Sequence, residues 1–117
     1  IAVTGEGNST TTNLQQGLVK VWHNLDGSGT VETHDSFNVA SLTDNGTGDY
    51  TSGFTNNMAN GNYATVVNCE SDSGHIGSIY GEAQTTTSSF RSYVFEVDAS
   101  GVTDGNVVTF MVAGDLA

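Results

Sequence analysis

Three histidines, thirteen carboxylates and one cysteine are the side chains of this 117-residue chain with the means to do chemistry. His23, His34 and His75 stand far apart, and no serine sits in the Gly-x-Ser-x-Gly elbow that presents a hydrolase nucleophile. The string Asp72-Ser73-Gly74-His75 has suitable residue types, but a loop rich in Gly, Ser and Asp produces such strings by chance. The pattern predicts a protein that is not an enzyme. The histidines also lack the spacing of metal ligands, and only oligomer symmetry would bring copies of one together on an axis. The carboxylates offer more. Asp26-Gly27-Ser28-Gly29 and Asp44-Asn45-Gly46-Thr47-Gly48-Asp49 put oxygen ligands and free carbonyls into tight loops, as hard cations favour. Asp26, Asp44 and Asp49 are therefore the calcium candidates. Neither run has the full EF-hand pattern, and Asx-turn chemistry accounts for the same residues. No cofactor is the first expectation, Ca²⁺ the second. Sugar recognition stacks an exposed aromatic ring beside polar groups, and Trp22, Tyr63, Tyr80 and Tyr93 are the rings available. An aromatic at strand period more often lies in a core or a subunit interface.

The elements that must position these residues read as strands. Residues 36–67 form the centre of the pattern: a strand over 36–43, a turn at 44–48, a strand over 49–55, a polar loop over 56–62 and a strand over 63–69. Tyr50 and Phe54 fall on one face of the second strand. The rest of the chain is expected to pair onto this meander. Upstream, 1–4 is a short apolar edge strand and 5–13 a polar loop or linker. Residues 18–25 form a strand with Val19, Val21, His23 and Leu25 on one face and Lys20, Trp22 and Asn24 on the other. After the Asp26–Gly29 turn, residues 30–39 continue as a strand bent near His34-Asp35. Downstream lie a loop at 70–74, a weak strand at 75–82 loosened by Gly77 and Gly81, and a Thr-rich run at 83–88. Two strong strands follow, 89–98 and 106–113, the first with Arg91, Tyr93, Phe95 and Val97 opposite Phe90, Val94 and Glu96. In the second, Val108, Phe110 and Val112 share a face. No helical period is sustained. Seven or eight short strands punctuated by Gly and Asx turns predict an antiparallel, jelly-roll-like β-sandwich over 14–117, preceded by an edge strand and linker over 1–13.

Composition narrows the partners. Apolar residues make up 36% of the chain, below the usual ~45–50%, so self-association is expected to complete the burial. Net charge is −11, with Lys20 and Arg91 the two cationic side chains. Nucleic acid and anionic membrane both need a cationic surface and are excluded as partners. So few cations also leave trypsin little to cut, which suits an extracellular or particle-surface life. Cys69 is the single cysteine, expected as a small buried hydrophobe, so no internal disulfide forms. No signal peptide, transmembrane run or heptad repeat is visible, and a start at Ile1 rather than Met fits a fragment or a processed form.

Three strings have a familiar look: GLVKVWHNLDGSGTV from Gly17, DSFNVASLTDNGTGDYT from Asp35 and ANGNYATV from Ala59. With the closing TTSSFRSYVFEVDASG…VVTFMVAGD from Thr86, they resemble a domain of tail-fibre-like and other virion proteins of tailed bacteriophages, frequent in phages of marine bacteria and cyanobacteria. The chain departs from that pattern at Asn60, near which the family usually carries a proline, and at His23, which is commonly aliphatic. The family carries no catalytic set. The resemblance implies a virion structural protein on the particle surface. It would be trimeric, at the distal end of a tail fibre or spike, with other virion proteins and a host cell-surface glycan as partners. A capsid decoration, cement or head-fibre protein is the first alternative, and a free carbohydrate-binding module with structural calcium the second. Exposed polar loops carry recognition, so Asn57, Asn60, Tyr63 and Asp72 are the expected host contacts. Asn8-Ser9-Thr10 and Asn45-Gly46-Thr47 match the N-glycosylation pattern, which means nothing in a protein made in bacteria.

Overall fold

A computed structural model of the chain describes residues 1–70, 74–98 and 101–117. Within them, period-two alternation builds ten strands: β1 (Ala2–Thr4), β2 (Thr11–Asn13), β3 (Val21–Asp26), β4 (Glu32–Phe37), β5 (Val39–Gly46), β6 (Asp49–Phe54), β7 (Ala64–Cys69), β8 (His75–Ile79), β9 (Ser89–Glu96) and β10 (Val108–Ala113). Eight of these form two four-stranded antiparallel sheets, ordered β4-β3-β10-β7 and β5-β6-β9-β8. The sheets pack face to face as the expected all-β sandwich. β1 and β2 form a small exposed hairpin of their own where a linker was expected, leading into a 3₁₀ turn at Leu14–Gly17.

The inward residues make two apolar clusters separated by a polar girdle. One cluster holds Val21, Phe54, Met58, Phe90, Phe110 and Val112; the other holds Leu25, Tyr50, Val94 and Val108. Between them, at the middle of their strands, lie His23, Ser52 and Ser92, all buried. His23 Nδ1 is 2.8 Å from Ser52 Oγ across the core, and Nε2 is 2.8 Å from Thr33 Oγ1. The imidazole edge meets the Phe110 ring at a centroid distance of 5.8 Å. A buried polar group is tolerated when its hydrogen bonds are made, and here they also tie one sheet to the other.

The expected meander is corrected in two places. The strand from Tyr63 to Cys69 does not continue the β5–β6 hairpin; β7 crosses to the opposite sheet and pairs with β10, while β6 takes β9 as its second neighbour. Alternation describes one strand at a time and is silent about which partner it pairs with. The stretch 36–43 is also not one strand. It breaks at Asn38, whose φ is +59°, and there the chain passes from one sheet to the other. The Asn38 amide pins this corner: Nδ2 donates to Lys20 O and Asn56 O, and Oδ1 accepts from Asn56 N at 2.7 Å. Asparagine tolerates the left-handed region better than most residues, because its short polar side chain bonds locally. At the bend expected near His34-Asp35, the β3–β4 register shifts between Asn24/Leu25 and skips His34 as a bulge.

Candidate functional site

In the turns that carried the calcium expectation, the protein engages one carboxylate oxygen of Asp26, one of Asp44 and both of Asp49. Asp26 Oδ1 accepts from Ser28 N at 2.8 Å and Ser28 Oγ at 2.6 Å, bonds that hold its carboxyl below the usual range. Asp44 Oδ1 accepts from Gly46 N at 2.9 Å. Asp49 is buried and takes a two-pronged ion pair from Arg91, Nε to Oδ1 at 2.7 Å and Nη2 to Oδ2 at 2.6 Å. Gly48 (φ +66°) lies so close to Val94 O and Thr103 O that a Cβ would overlap both, and its N–H donates to Asp104 Oδ1 at 2.9 Å. Among the described residues, one set of metal-capable side chains comes together: Asp26, Glu32 and His34, with ligand atoms within 4.8 Å of one another. Only Asp26 was foreseen. The bulge brings His34 to the pair, its Nε2 is 3.7 Å from Glu32 Oε1 on the same strand, and both side chains are exposed.

His23 is buried on the strand face that it shares with Val21 and Leu25. His23 and Ser52 make a Ser–His contact, yet Ser52 is fully buried, and the group on the other imidazole nitrogen is a threonine hydroxyl rather than a carboxylate. No substrate reaches that serine. Burial lowers the His23 pKa to about 4, so the ring is neutral in the folded protein near pH 7. Cys69 is half-buried against the second cluster, and burial, with Glu70 beside it, raises its thiol pKa.

Of the four expected host contacts, Asn57 and Asn60 are exposed, as a recognition loop requires. Asp72 lies outside the described residues. Tyr63 is half-buried: it packs on the first cluster, and its hydroxyl lies 3.0 Å from Thr86 O and 2.9 Å from Ser89 O. Burial pushes its phenol up to about 12. A half-buried ring with its hydroxyl bonded inward has little left to offer a ligand.

The outer faces of the two sheets are also open to partners. On the β4-β3-β10-β7 sheet, the register aligns Phe37, Trp22, Met111 and Val66 in one row across all four strands. Phe37 and Val66 are each 54% exposed and Met111 47%, while Trp22 is half-buried. Ala113 and Ala64 pair beside this row, so the apolar surface has no charge in either rank. The next rank is Asp35, Asn24, Thr109 and Asn68, where Asn24 Oδ1 is buried with no partner among the described residues.

The β5-β6-β9-β8 sheet presents a different face. Arg91 lies beside Thr51 in the register and over the Tyr80 ring, its Cζ 3.8 Å from the centroid. Tyr80 meets Tyr93 edge-on at 5.2 Å, and Tyr93 leads to Phe95 at 6.2 Å. On the other side, Asn45 sits in a bulge of β5 and donates through Nδ2 to Thr51 Oγ1 at 2.7 Å and to Asp49 Oδ1 at 3.3 Å. Half this face is hydroxyl and amide, half aromatic. Lys20 is not available to either face, because it is buried and its ammonium donates to Leu18 O at 2.6 Å and to Gln15 O.

Comparison with known proteins finds no matching family model, curated protein or solved structure.

Proposed function

We propose that this chain is a structural assembly module of a bacteriophage virion surface. In this reading it is the distal domain of a tail fibre or spike, joining copies of itself as a trimer and contacting the host envelope. The observation that carries the assembly half is the charge-free row Phe37–Trp22–Met111–Val66. A chain with net charge −11 repels its own copies, so a contact between copies forms where charge is absent. Apolar rows of this exposure, rimmed by polar residues, mark interaction surfaces. The virion half rests on the phage-like strings at Gly17, Asp35, Ala59 and Thr86.

Sedimentation equilibrium tests the assembly, with a trimer expected for the native chain and a monomer for Met111→Glu. Because Met111 points outward, the variant is expected to keep its fold by circular dichroism. A native chain that stays monomeric at high concentration would remove the assembly reading. Antibody labelling of purified particles in the electron microscope tests the location. Label at tail tips supports the adhesin. Label over the head favours the decoration reading, which the same self-associating sandwich would serve.

A further inference from the structure

We infer that the outer face of the β5-β6-β9-β8 sheet is a binding platform for an uncharged glycan, centred on Tyr80, Tyr93 and Arg91 with Asn45 and Thr51 at its polar edge. Four observations carry it. First, Tyr80 is 44% exposed although Arg91 lies over its ring, and Tyr93 and Phe95 extend the apolar surface beside it. Aromatic rings offer the C–H faces of a pyranose a flat apolar surface, and a tyrosine also brings a hydroxyl. Second, the guanidinium is held rigid by both Asp49 oxygens and by the Tyr80 ring, yet Asp49 uses only Nε and Nη2. The remaining N–H donors are fixed in a planar fork, and little side-chain entropy is left to lose when they meet a pair of sugar hydroxyls.

Third, the polar groups are adjacent and prearranged. Asn45 is exposed and locked to Thr51 and Asp49, with Thr43 next to Thr51 in the register. Gly53, opposite Ser41 and Ser89, adds no side chain, and the Ser41 hydroxyl lies over it as a further polar group. Fourth, charge sets the class of sugar. The one cation on this face is matched by its own carboxylate, and the molecule carries −11 overall. Uronic and sialic acids would approach against that field, whereas neutral hexoses and pentoses would not.

This inference rests on the adhesin half of the proposed function, and it moves the host contact from the loops at Asn57 and Asn60 to a sheet face. The test is calorimetric titration of the full chain with neutral oligosaccharides of glucose, galactose, mannose and xylose, alongside sialyl- and uronyl-containing ones. Binding of at least one neutral ligand is expected, weakened about tenfold by Tyr80→Ala, a loss of ~1.4 kcal/mol. Asn45→Ala is expected to weaken the same ligand several-fold, and both exposed positions allow the fold to be checked by circular dichroism. Absence of binding to every neutral ligand by a folded native chain overturns the inference, as does selection of acidic sugars alone. Binding that survives both substitutions also overturns it. Sedimentation of the same samples keeps the two readings apart: a trimer without glycan binding loses only the platform, and a glycan-binding monomer loses only the assembly.

Discussion

The two outer faces of the sandwich come from strands with the same alternation and antiparallel pairing, yet they differ in surface chemistry. On the β4-β3-β10-β7 sheet the outward positions align apolar side chains into an uncharged row. On the β5-β6-β9-β8 sheet they align an aromatic group against hydroxyls and amides, with an ion pair at the boundary. Both faces stand on the same core, so the difference belongs to outward residues alone. A sandwich needs one face of each sheet for folding and leaves the other face of each free for function.

The largest expected effect comes from the floor that both faces share. Phe110 is buried against Phe90 and His23, and Phe110→Ala is expected to cost about 3–5 kcal/mol in urea unfolding, degrading both faces together. A loss under ~1 kcal/mol would mean that the two sheets do not depend on one core.

Acid should loosen the same floor through the girdle. His23 stays neutral in the folded state down to about pH 4, whereas the unfolded imidazole protonates near 6.5. Between these values the unfolded chain binds more protons, so His23 lowers stability as pH falls through this window and has no such effect above it. The loss is about 3 kcal/mol in total. Urea midpoints from pH 7 to 4 should show it, and His23→Gln should flatten that part of the profile; an unchanged profile would contradict a neutral, buried imidazole.

Arg91→Ala distinguishes the faces. It leaves the Asp49 carboxylate buried without its ion-pair partner and should lower the urea midpoint, partly recovered by adding Asp49→Ala. It should leave the oligomer intact, because the apolar row lies on the other sheet. Dissociation to monomers would place the subunit contact on the aromatic face instead. The smallest expected effect is that of chelator. With Asp26, Asp44 and Asp49 each bonded within the protein, EDTA should leave the melting temperature within about 1 °C of its starting value. A larger drop would return calcium to the turns.

Much of this was legible in the chain itself. Val21, His23 and Leu25 on one side of β3, Tyr50 and Phe54 on one side of β6, and Val108, Phe110 and Val112 on one side of β10 follow from period-two alternation, a local property. The tight turn ending at Gly48 follows from its composition. The position of Tyr63 beside a polar loop says nothing about the carbonyls of Thr86 and Ser89, more than twenty residues away, that engage its hydroxyl.

Strand partnership is of the same non-local kind. Whether β7 pairs with β6 or β10 is decided by which sheet has an open edge once the others have packed, and no spacing in the sequence records it. The same decision sets Met111 beside Val66 and Arg91 beside Tyr80. The sequence by itself determined which residues face the core and which face outward, because that depends on each strand alone. Only the tertiary structure decided which outward residues become neighbours, because hydrogen-bonded pairing joins segments that are distant in the chain.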